Sequence, residues 1–155
     1  MKLLTRPSPP IQNTVTIFYG HQAVGHLLDI GLLERNPGHG HPLRPEFRLT
    51  ALGARAAALA HRIQGAARSD DLDLLRRAWT LPVLISLHRP SHFIDIKRNL
   101  PSITDRALSL SLKSMEDRAW VHRHVYVAAR PPRPIYQAVN LGERISQITG
   151  TEIRL

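Results

Sequence analysis

Between Thr104 and Arg118 the apolar residues Leu108, Leu112 and Met115 recur at intervals of four and three, which lines one side of a helix. The opposite side carries Arg106, Ser109 and Lys113 at i, i+3 and i+7. One face of this helix is core and the other is free. Upstream, Leu72, Leu75, Ala78 and Trp79 recur at helical spacing, and an apolar helix follows from Thr80 to about Leu87, with Pro82 tolerated in its first turn. Arg89-Pro90 closes it. Ser91 or His92 starts another, in which Phe93, Ile96 and Leu100 share a face, and Pro101 enforces a turn before Thr104. Downstream, Val121 to Val127 and Ile135 to Val139 form a hairpin around Arg130-Pro131-Pro132-Arg133-Pro134, and Asn140 caps a final helix from Leu141 to about Ile148.

The first half of the chain has a plainer pattern. Prolines 7, 9 and 10 keep residues 1–13 out of helix and predict an extended tail. A helix from Thr16 to Asp29 places Val24, Leu27 and Leu28 on one side, and Gly31 ends it as a C-terminal cap. Leu32 to Asn36 and Phe47 to Thr50 predict two short strands, joined by the loop Pro37-Gly38-His39-Gly40-His41-Pro42. Thr50 caps a helix from Ala51 to about Gln64, and Gly65 to Asp71 offers the one plausible internal boundary.

Aligning the chain with itself exposes a repeat. Thr16 falls on Thr104, Asp29 on Asp117 and Arg35 on Arg123 at a spacing of 88; Pro45, Phe47, Leu52 and Gly53 fall on Pro134, Tyr136, Leu141 and Gly142 at a spacing of 89. The unit is helix, hairpin, helix. Residues 1–13 cannot supply counterparts of the helices that precede Thr104, so the first copy is incomplete. The expected organisation is an extended tail at 1–13, a partial, degenerate copy at 14–67 and a complete domain at 68–155.

Composition narrows the function. Lys and Arg number 21 against 12 Asp and Glu, a formal charge of +9 that draws the chain towards polyanions such as nucleic acid. The chain has no cysteine, which removes disulfides, thiolate metal clusters and thiol redox switches. No run of about eighteen apolar residues could span a bilayer, and Met1-Lys2-Leu3-Leu4 leads straight into Arg6 and Pro7. The expectation is a cytoplasmic protein with no membrane partner. No Ser-His-Asp order, phosphate loop or dinucleotide fingerprint is found, so neither an enzyme nor a cofactor is expected. His39 and His41 alternate along one loop and could join His21 and His26 on a metal, but no carboxylate or cysteine lies near them, and no metal site is assigned.

From Trp79 to Gly142 the chain resembles the HxlR-type winged helix-turn-helix regulators. The resemblance rests on Trp79-Thr80-Leu81-Pro82-Val83-Leu84 and His92-Phe93-Ile94-Asp95-Ile96-Lys97-Arg98-Asn99-Leu100-Pro101. It continues through Ile103-Thr104 with Leu108, Leu112 and Met115, and through Pro131-Pro132-Arg133-Pro134-Ile135-Tyr136. It implies an α+β, mostly helical winged helix-turn-helix fold, in tandem with an incomplete N-terminal copy. It also implies a dimeric regulator that binds double-stranded DNA, with recognition helix 104–118 in the major groove and wing 121–139 on the flanking groove.

Arg106 and Ser109 are then the candidates for base reading, and Thr104 and Lys113 for phosphate contacts. Arg130 and Arg133 resemble wing arginines that enter a narrow minor groove, and Arg123 adds a phosphate contact. The plain alternative for both sets is solvated surface. In the first copy Phe18, His21 and Gly25 replace Arg106, Ser109 and Lys113, which predicts a buried Phe18 and a lost reading role. Two departures limit the resemblance. Cysteine sensing, known in some members, is excluded, and the usual Ser-Leu-Thr before the last helix is Ala138-Val139-Asn140. Nothing in the chain identifies a small-molecule effector. The rival function is a protein-interaction or ligand-sensing module that keeps the fold without specific DNA binding.

Overall fold

Gly31 stops the first helix with a left-handed backbone, φ 73°, a conformation open to a residue without Cβ. Its N–H donates to the Leu28 carbonyl (3.0 Å), and the Leu32 N–H to the Leu27 carbonyl (2.9 Å). The computed structural model describes residues 21–41, 44–125 and 133–152. Of the helix expected from Thr16, α1 (His21–Asp29) is therefore described, while the expected tail at 1–13 and Phe18 lie outside the described residues. The chain divides into two compact units, Met1–Ala58 and Leu59–Leu155.

In the first unit α1 leads into a two-stranded antiparallel sheet, β1 (Leu33–His41) and β2 (Arg44–Leu49). Leu33 pairs with Leu49, Glu34 with Arg48 and Arg35 with Phe47. The loop expected at residues 37–42 is mostly strand instead. Pairing lapses after Arg35, where Pro37 lacks a ladder donor, and resumes at Gly40 opposite Pro45 and His41 opposite Arg44. An irregularity in the ladder thus takes up the residues that interrupt it. Thr50 caps α2 (Ala51–Ala66), its hydroxyl accepting from the Gly53 N–H (3.0 Å) and donating to the Gly31 carbonyl (2.6 Å). The division between the units falls inside α2.

The second unit opens with a 3-10 turn (Ser69–Asp71), α3 (Leu72–Leu75) and α4 (Thr80–Ser86). The helical spacing from Leu72 to Trp79 is thus one short helix and a turn. Ser91–His92, expected as the start of a helix, form strand β3 ahead of α5 (Phe93–Asn99). Two residues carry no periodicity, and only pairing with β5 makes them a strand. Helix α6 (Asp105–Asp117), strands β4 (Val121–Val125) and β5 (Pro134–Ala138), and α7 (Asn140–Glu152) complete the unit.

The sheet order is β3-β5-β4, antiparallel throughout. Its core gathers Leu74, Val83, Leu84, Ile96, Ile103, Leu108, Leu112, Met115 and Ile145, with Ile63 from the end of α2. A helix-turn-helix followed by a hairpin and a packed last helix is a winged helix-turn-helix, mostly helical with a small sheet. Asn140 does not act as the simple cap expected of it. It has φ 52°, a conformation that Asn tolerates better than most residues, and its Nδ2 donates to the Ala119 carbonyl (2.9 Å).

Candidate nucleic-acid interface

Helix α6 is set by what precedes it. The Leu100 N–H closes α5 on the Ile96 carbonyl and the Ile103 N–H bonds the Leu100 carbonyl (both 3.1 Å), so the Pro101 turn folds tightly and buries Ile103. Lys97 adds a bond from Nζ to the Pro101 carbonyl (3.4 Å). Thr104 then caps the helix, with extended backbone (φ −81°, ψ 155°) and its hydroxyl accepting from the Ala107 N–H at 3.1 Å.

Leu108, Leu112 and Met115 are at most 1% exposed, which fixes the rotation of α6. Arg106, Ser109 and Lys113 consequently point outward and are exposed, with no hydrogen bond or ion pair among the described residues. The helix is steadied on its flanks, where Arg77 Nη1 donates to Ser114 Oγ (3.2 Å) and Arg118 ties its end to Asp73.

The hairpin brings further candidates. Val121 pairs with Ala138, His122 with Gln137, Arg123 with Tyr136, His124 with Ile135 and Val125 with Pro134. Arg123 shares a face with buried Tyr136 yet is itself exposed, and Arg133, at the start of β5, is exposed too. Arg130 lies outside the described residues. Strand β3 pairs with the first half of β5, where His92 Nδ1–H donates to the Pro134 carbonyl (3.0 Å). On the other face His122 and His124 stack with centroids 4.1 Å apart and planes 3° from parallel, an arrangement the sequence did not single out.

One residue of the outward face escaped the sequence reading. Leu110 is 57% exposed, four residues after Arg106 and three before Lys113. The signal was present, because a leucine at 110 falls out of step with the buried 108, 112 and 115. Gly25, the residue that the sequence repeat sets against Lys113, has nothing within 4 Å of where a Cβ would be. The metal reading of His21, His26, His39 and His41 rests largely on side chains outside those described. Among the described residues no group of three or more metal-ligating side chains occurs, and no helix is long and apolar enough to cross a membrane.

Residues 74–151, half of the chain, match the HxlR-like helix-turn-helix family. The chain belongs to that family. Among its relatives, the uncharacterised HTH-type transcriptional regulator YtfH of Escherichia coli (strain K12) is 29% identical over 70 residues, 44% of this chain and 55% of YtfH. The HxlR-like chain therefore spans little more than half the length of that relative. Among solved structures, the reduced form of the transcriptional regulator YodB from B. subtilis is 24% identical with a TM-score of 0.46, covering 54% of this chain and 81% of YodB. The redox regulator HypR in its oxidised form is 28% identical with a TM-score of 0.45, covering 54% of this chain and 93% of HypR. The family match contains α6, the hairpin and all seven residues that the sequence nominated.

Proposed function

We propose that this HxlR-like chain is a sequence-specific, DNA-binding transcriptional regulator, with α6 in the major groove and the β4–β5 hairpin on the flanking groove. The row Arg106, Ser109 and Lys113 carries the reading. It is polar, exposed and unpaired among the described residues, on the outer face of a helix whose inner face is fully buried. Arg106 can donate two bonds to a guanine edge, Ser109 one bond to either kind of base, and Leu110 can meet a thymine methyl. Lys113 and Arg123 neutralise phosphates, while Arg130 and Arg133 reach the minor groove. Thr104, engaged with its own helix, presents its remaining hydrogen-bond capacity to the backbone.

The protein acts in the cytoplasm, is not an enzyme, and works as a homodimer whose two reading heads meet two half-sites. A gel shift on DNA from upstream of its own gene, run with increasing salt and unrelated competitor, tests this. A complex that survives excess competitor supports specific reading. A complex that competitor removes at equal mass contradicts it, and would leave a polycation or a module of another kind.

A further inference from the structure

The frame around the hairpin is built twice in this chain. In the second unit α6 ends with Ala119 at φ 53°, whose N–H donates to the Glu116 carbonyl (2.9 Å), and the Trp120 N–H donates to the Met115 carbonyl (2.8 Å). In the first unit Gly31 at φ 73° and Leu32 make the same two bonds, to Leu28 (3.0 Å) and Leu27 (2.9 Å). The strands then pair in the same register. Leu33–Leu49, Glu34–Arg48 and Arg35–Phe47 correspond to Val121–Ala138, His122–Gln137 and Arg123–Tyr136. After the second strand, the Thr50 N–H returns to the Leu32 carbonyl (3.1 Å) as the Val139 N–H returns to the Trp120 carbonyl (2.9 Å). Gly53 and Gly142 then press the following helices onto those two carbonyls. Each pair is offset by the 88 or 89 residues that separate the matched positions in sequence.

Within this frame one kind of position has changed and another has not. The sequence repeat sets Phe18 against Arg106, His21 against Ser109 and Gly25 against Lys113, so the first copy carries neither cation of the reading row. Arg35, however, stands where Arg123 stands, and the residue across the ladder is a large aromatic in both, Phe47 and Tyr136. Both arginines are exposed and neither forms an ion pair among the described residues. Arg48, on the neighbouring pair, is held instead by Glu34 at 2.6 Å. Arg35 is the unpaired cation among the described side chains of this hairpin.

We propose that the first unit is a wing without a reader, giving bound DNA one sequence-independent phosphate contact through Arg35. It adds affinity and salt dependence and no base preference. This rests on the reading of the second unit as DNA-binding, and the test separates the two.

Full-length protein is titrated by fluorescence anisotropy with its selected site and with random duplex, between about 50 and 200 mM salt. Arg35→Ala and Arg123→Ala each lower the slope of log K against log salt by about 0.9. Arg35→Ala weakens both duplexes by the same factor, and Arg35→Lys keeps the wild-type slope. Arg55→Ala, which removes an exposed arginine at the start of α2, leaves the slope unchanged. If Arg123→Ala lowers the slope and Arg35→Ala does not, the inference falls while the reading of the second unit stands. It falls equally if Arg35→Ala alters base preference, or if Arg55→Ala lowers the slope as much. If neither hairpin arginine moves the slope and Arg106→Ala leaves sequence preference untouched, the DNA-binding reading fails with it.

Discussion

Gly142 lies against the carbonyl of Trp120 with no room for a methyl group between them. A Cβ on the glycine would collide with the carbonyl oxygen and stand 2.9 Å from its carbon and 3.1 Å from the Trp120 Cβ. The Val139 N–H bonds the same carbonyl at 2.9 Å, so the end of α6, the exit from the hairpin and the start of α7 meet at one peptide. Gly142→Ala must push backbone apart and destabilises the protein by about 1–3 kcal/mol. Gly150, in the same helix, has nothing within 4 Å of its would-be Cβ. Gly150→Ala therefore stabilises by about 0.5 kcal/mol through helix propensity. Urea unfolding of the two variants should move the midpoint in opposite directions.

Thr104 separates a structural role from a binding one. Its hydroxyl bond to the Ala107 N–H predicts that Thr104→Ala lowers stability by about 1 kcal/mol, while Thr104→Ser stays close to wild type. Thermal unfolding followed by circular dichroism measures this, and an unchanged Thr104→Ala midpoint would show that the cap contributes nothing.

Arg118 joins the end of α6 to the 3-10 turn and to the first turn of α3. It donates to the Asp70 carbonyl (2.7 Å) and to Asp73 Oδ2 (3.1 Å), and approaches Asp71 at 3.7 Å. Its side chain is 39% exposed, so screening holds the contribution of the group to about 1 kcal/mol. Arg118→Ala should lose that amount and flatten the dependence of stability on salt. Asp73→Asn should lose less, because the Asp70 contact survives.

These elements differ in how far the sequence revealed them. Helix α6 was legible because Leu108, Leu112 and Met115 repeat at its period and Thr104 is a capping residue. Strand β3 was not, since Ser91 and His92 become a strand only by meeting Tyr136 and Ile135, more than forty residues away in the chain. The role of Arg118 was hidden for the same reason, its partner Asp73 being 45 residues distant. The continuation of β1 past Pro37 depends on a shift in register that local turn residues conceal. Arg106, Ser109 and Lys113 were found because a polar row opposite a buried stripe is a local pattern. Leu110 was not legible because leucine is among the residues most often buried, and its exposure at 57% runs against its type.

Assembly provides a further test. If the α6 row reads DNA as proposed, two chains should occupy the two halves of a two-fold site, with the two Arg106 residues about one helical turn of DNA apart. Light scattering at micromolar concentration, free and on DNA, should give the mass of two chains. A single chain in both conditions would contradict the homodimer.

The central claim is that α6 reads bases, and the most direct measurement selects preferred sites from random duplex with wild type, Arg106→Ala and Lys113→Ala. Arg106→Ala should lose preference at one base position, at a cost of about 1–3 kcal/mol on the wild-type site. Lys113→Ala should keep the wild-type preference and bind every duplex more weakly by a common factor. If both variants weaken selected and random DNA alike, with the preferred sequence unchanged, α6 does not read bases through Arg106.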